Sequence, residues 1–151
     1  MAGTEHLETW IAPTFGQRLG GRVLDGVLFF VPWIILARFL SGLALMFVGF
    51  TLVAMYEVVG VLVYGQTIGK RIVGTRVVSV DSSPVQPWQA IARFAVYALP
   101  ALALAAADVR LAAGLWTLIV VLPILRPPLH RGLHDFGART IVVPTSIYVP
   151  R

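Results

Sequence analysis

Apolar residues in this chain gather into long blocks rather than short alternating runs. Four such blocks can be drawn, at residues 19–40, 42–64, 87–107 and 109–126. Each comes close to the roughly 20 residues a helix needs to cross a bilayer, and the fourth, closed by Pro123, Pro127 and Pro128, has to borrow flanking residues. Pro87 suits the first turn of the third. Ser41-Gly42 and Asp108-Val109-Arg110 leave room only for tight turns, so the blocks pair into two helical hairpins. The pattern predicts an all-α membrane protein, a four-transmembrane-helix bundle.

Between the hairpins lies a polar segment, residues 65–86. Within it Ile72–Val80 is rich in β-branched residues, as is Thr140–Val143 with an extension through Ile147–Val149. These predict a small cytoplasmic β element of undetermined register. The chain divides into an N-terminal segment (1–17), the transmembrane domain (18–143) and a tail (144–151). Residues 1–17 lack the apolar core of a signal peptide.

Composition agrees: 58% of residues are hydrophobic and 13% charged, against about 25% charged in soluble domains. The net charge of +5 could point to nucleic acid, but the positions of the basic residues explain it better. With both hairpin tips outside, ten arginines and lysines lie at or near the cytoplasmic face and only Arg38 and Arg110 outside. By the positive-inside rule both termini are cytoplasmic. Such a rim favours anionic lipid headgroups, by roughly 1 kcal/mol per basic residue. With no cysteine, disulfides and thiolate metal sites are excluded.

The charges inside the apolar blocks need partners. Asp25 in the first helix and Glu57 in the second fall on the order of 10 Å inside the cytoplasmic boundary, and Arg93 enters the third at a similar level. A charge at mid-membrane costs about 2.5–3.5 kcal/mol. One reading is an ion-pair cluster, with Asp25 on Arg18, Arg22 or Arg93 and Glu57 on another of these. A second makes Asp25 and Glu57 a cation or proton site. A third is recognition of a lipid headgroup or partner helix.

Gly65-Gln66-Thr67-Ile68-Gly69-Lys70 has three residues between its glycines and Arg71 after the lysine, so it fails the phosphate-loop pattern. Its expected role is a sharp exit from the second helix, with Lys70 and Arg71 at the headgroups. His130 and His134 are four apart, as metal ligands can be, but Arg131 and Gly132 intervene. No metal or cofactor is expected, and His134-Asp135 reads instead as a cytoplasmic turn whose carboxylate meets a basic residue. No catalytic constellation stands out, so an enzyme is not expected.

Taken together these residues resemble the RDD family of bacterial membrane proteins, named for one arginine and two aspartates. The likeness covers about residues 15–143. It runs through Arg18 and Asp25, the Gly65–Lys70 element, the strand Thr75–Val80, Arg93, and His134, Asp135, Ala138 and Thr140. Gly21 and Ser82-Ser83 depart from the family's usual residues without touching a charged position, and Arg22 adds a positive charge beside Asp25. The resemblance implies a multi-pass protein of the bacterial inner membrane that transports an unidentified ligand. Proton-coupled movement of a cation or small solute would use Asp25, Glu57 and Asp135, with a pathway between copies in a homo-oligomer. The rival expectation is a non-transporting accessory or scaffold subunit of a larger membrane complex.

Overall fold

The structure, a computed structural model, describes residues 12–125 and 131–147. Helix α1 (Phe15–Leu36) starts four residues before the first apolar block. Thr14 supplies the reason. Its hydroxyl accepts from Gln17 N at 3.2 Å while Gln17 Oε1 accepts from Thr14 N at 2.9 Å, a reciprocal cap that satisfies two otherwise orphaned donors. The helix ends at Leu36 rather than 40, and residues 37–39 form the turn into α2 (Gly42–Tyr64).

Gly65 stops α2 in a left-handed conformation (φ +66°), its N–H returning to Val61 O at 2.9 Å. Glycine takes that backbone without a Cβ penalty. The chain then folds into a one-turn helix, α3 (Ile68–Ile72), which no apolar periodicity announced. Strand β1 (Thr75–Ser79) follows, shorter than the predicted Ile72–Val80. Helix α4 (Pro87–Ala106) begins at Pro87 as expected.

Helix α5 (Arg110–Val121) is the main departure. It has 12 residues and passes into a 3-10 turn, Leu122–Leu125. Pro123 has no N–H to give an α-helical ladder, which accounts for the early change. A 12-residue helix reaches only about 18 Å. Among the described residues three helices are therefore long and apolar enough to cross a membrane: α1, α2 and α4, with 22, 23 and 20 residues and stretches of 18 residues whose mean hydropathy is 1.7, 2.1 and 1.5. Their outward faces carry exposed Val27, Phe30, Val31, Met55, Val63 and Leu99, a surface suited to lipid.

A short helix, α6 (Leu133–Gly137), leads into β2 (Thr140–Pro144), and residues 145–147 form a 3-10 turn rather than more strand. Tyr148 and Val149, together with Arg126, His130 and Arg151, lie outside the described residues. The strands pair antiparallel, Val77 opposite Val142 and Ser79 opposite Thr140. Burial is concentrated at this ribbon end of the bundle, where α1 and α4 begin and α2 finishes. Val61, Val77, Val85, Ala90 and Val142 pack there into one apolar cluster. Helix α1 packs mainly on α3 and meets α2 only sparsely, while α2 and α5 both pack on α4. The architecture is mostly helical, with a two-stranded sheet sealing one end.

Candidate functional site: a buried charge cluster at the ribbon end

Three carboxylates and four cations are drawn together above the ribbon, in two groups. The first is built on Asp25 and Glu57. Asp25 is buried on α1 and its two oxygens accept three close hydrogen bonds: from Tyr56 Oη at 2.6 Å, Thr67 Oγ1 at 2.6 Å and Gly69 N at 2.8 Å. Thr67 is the N-cap of α3, so the cap that starts this helix also grips the carboxylate. Tyr56 in turn accepts from Ile68 N at 2.8 Å. Glu57, one residue further along α2, is held by Arg22 Nη1 at 3.0 and 3.1 Å.

Lys70 links the pair. Its Nζ lies 3.8 Å from Asp25 Oδ2 and 3.9 Å from Glu57 Oε1, and it donates to Thr67 Oγ1 at 3.1 Å. This corrects two expectations. Among the described residues no arginine forms a hydrogen bond or ion pair with Asp25; it takes hydroxyls, a backbone N–H and Lys70. And Lys70 does not reach out to headgroups, because the single turn of α3 swings it back over the carboxylates. Burial lowers its pKa to about 8, with Glu57 opposing and Arg22 and Arg93 adding repulsion. A cavity of about 210 Å³ adjoins this group, lined by Asp25, Glu57, Tyr56, Thr67 and Arg22.

The second group is built on Asp135, which is fully buried in α6. Arg93 and Arg18 both donate to it, Arg18 at 3.2 Å. The backbone N–H of Gly132, N-cap of α6, donates at 3.0 Å. The same arginines continue to β2: Arg93 Nη1 reaches Thr140 Oγ1 at 2.9 Å and Arg18 Nη2 reaches Val142 O at 3.3 Å. One carboxylate thus fastens α1 and α4 to α6 and the ribbon. Arg93 serves this clamp, not Asp25 or Glu57. Burial alone would raise Asp135's pKa, but Arg93, His134, Arg18 and the Gly132 N–H hold it well below the usual carboxylate range.

The turn expected at His134-Asp135 therefore does meet basic residues, two at once. His134 Nε2 lies 3.6 Å from Asp135. Burial drives the imidazole's pKa down to about 3; Asp135 opposes this and Arg93 and Arg22 reinforce it. Below about pH 6.5 the unfolded chain takes up a proton at this histidine that the folded chain refuses until about pH 3, so acid favours unfolding. Melting temperature in detergent should fall between about pH 7 and pH 5, and His134→Gln should flatten that slope. An unchanged slope in the variant would contradict a buried, neutral His134.

Among the described residues no three histidines, cysteines or carboxylates converge as metal ligands. His130 lies outside the described residues, so the His130–His134 pair is not described. Sequence reasoning missed Tyr56, which nothing marks except its position one residue before Glu57, and the hydroxyl role of Thr67. It also missed the β2 carbonyl and hydroxyl that receive Arg18 and Arg93.

No curated protein and no solved structure matches the chain. A sequence model described as the RDD family matches residues 12–139, most of its length and the whole of the buried cluster except the start of β2. The chain belongs to the RDD family, as a membrane protein with three long apolar helices closed at one end by a small two-stranded sheet.

Proposed function

We propose that this RDD-family protein exchanges a small monovalent cation for a proton, working at Asp25, Glu57 and Lys70. The observation that carries the reading is the Lys70 ammonium held between two buried carboxylates, 3.8 Å from one and 3.9 Å from the other, both of which line a cavity. Asp25, Glu57, Arg22 and Lys70 together are neutral. Loss of the Lys70 proton leaves this group at −1, and one monovalent cation restores neutrality. Carboxylate and hydroxyl oxygens are the donors that hard cations prefer. Proton and cation would thus compete for one place, as exchange requires.

In this reading α5 with its 3-10 turn crosses as a fourth span, and the ribbon end with both termini faces the cytoplasm of a bacterial inner membrane. That orientation keeps the basic residues inside. A bundle this slender would carry its pathway between copies in a homo-oligomer. Asp135, pinned by two arginines, is a fastening rather than a working carboxylate.

The test is cation-dependent proton movement by the full chain in proteoliposomes. Exchange should rise as pH climbs through about 8, where Lys70 loses its proton. Asp25→Asn should abolish it, and Lys70→Met should uncouple cation binding from pH. Folded protein that shows no such movement between about pH 6 and 9 would overturn the proposal. The rival reading, an accessory or scaffold subunit, draws on the Asp135 clamp, which ties four elements together without leaving that carboxylate open. Co-purification with one defined membrane complex, without transport, would favour it.

A further inference from the structure

The cations of the cluster do more than neutralise carboxylates. Arg18, Arg22, Lys70 and Arg93 converge on the wall of one cavity of about 80 Å³, with Thr75 and His134 beside them. Among the described residues lining it there is no carboxylate. The three acids sit behind the cations, each turned to its own partners. Four cations against three carboxylates leave the cluster at +1, since His134 is neutral above about pH 3. A surplus charge buried in a bundle is costly unless something answers it. Arg93 is 2% exposed and, among the described residues, its Nε has no hydrogen-bond acceptor.

We infer that this cavity binds a phosphate group, free or as the headgroup of an anionic phospholipid. Guanidinium forks match the geometry of phosphate oxygens. The volume is several times the roughly 10–15 Å³ that a single water requires, enough for a compact oxyanion and too little for a nucleotide. The remaining wall is apolar: Phe15 and Leu19 from α1, Val121 at the end of α5, Ile124 in the 3-10 turn after it, and Val142 of β2. Leu19 is about half exposed on the outer face of α1, so the cavity borders the surface along which a lipid tail would lie. The site does not depend on cation exchange, and either reading could fail without the other.

The experiment uses the full chain, stripped of lipid in mild detergent. Inorganic phosphate, phosphatidylglycerol and phosphatidylcholine are added separately, and native mass spectrometry counts what each chain retains. One phosphate or one phosphatidylglycerol per chain is expected, with phosphatidylcholine retained at least tenfold less. Retention of phosphate, or its displacement of phosphatidylglycerol, identifies a free-anion site; phosphatidylglycerol alone identifies a headgroup site. Leu19→Trp fills the cavity from its apolar side without removing a charge and should weaken retention at least tenfold. Val121→Trp replaces it if the first variant does not fold. Retention of neither anionic probe, equal retention of phosphatidylcholine, or full retention in the filled variant would each overturn the inference.

Discussion

Asp135→Asn should destabilise this protein more than loss of any other single carboxylate. The substitution keeps the side chain's shape and removes its charge, stranding Arg18 and Arg93 in a buried site. Breaking a buried pair from one side costs about 3–5 kcal/mol, chiefly because the surviving charge has no counterion. Here two guanidiniums survive. Their links to Thr140 and Val142 O remain, but neutral acceptors replace only part of what a carboxylate gives. Thermal unfolding in detergent, followed by tryptophan fluorescence, should show a drop of many degrees. Arg93→Gln added to Asp135→Asn should recover part of it, as coupled neighbours do. If Asp135→Asn melts with the wild type, the clamp does not hold the ribbon end together.

Gly69→Ala should be nearly as damaging, for a reason of space rather than charge. A Cβ at Gly69 would stand 2.2 Å from Gly21 O and 2.7 Å from Asp25 Oδ1. Neither neighbour can give way easily: one is helix backbone and the other is a buried carboxylate already gripping Thr67 and Tyr56. Helix α3 would have to lift from α1. Overpacking of this kind costs about 1–3 kcal/mol, and losing the Gly69 N–H bond to a charged acceptor adds about 1.5–3 kcal/mol. Lifting α3 also moves Lys70 off the two carboxylates, so the proposed cation exchange should fall together with stability. Gly114→Ala is the matched control. Nothing lies within 4 Å of a Cβ there, and the change should leave melting unaltered or slightly raised, because alanine favours helix. A harmless Gly69→Ala would mean that the close approach of α3 and α1 is not required.

Much of this arrangement is written locally in the chain. The block from Gly42 to Tyr64 carries no charge but Glu57, and Gly65 punctuates it; helix and stop both follow. Pro87 likewise marks the start of α4. Element ends depart from the hydropathy pattern where capping and proline chemistry outweigh it. Leu19 opens the first apolar block, yet Thr14 and Gln17 start the helix earlier. Pro123 lies within the fourth block and ends the α-helical part of it. In the site, the charged residues are legible because carboxylates and arginines in apolar helices must find one another. Which finds which is not legible. Helix α3 is too short to show a periodicity, and it alone decides that Lys70 faces Asp25 instead of solvent. The partnership of Arg18 with Asp135 spans 117 positions, a distance over which no local pattern carries information.

That separation sets an order of events during synthesis. Arg18 and Arg93 leave the ribosome well before Asp135, and β1 before β2. Helices α1, α2 and α4 should therefore enter the bilayer while two arginines still lack their counterion. Only when α6 and β2 emerge can the arginines turn inward and the ribbon close. Nascent chains halted before Asp135 should persist as inserted but unlatched helices, open to proteases at the end that the finished protein seals.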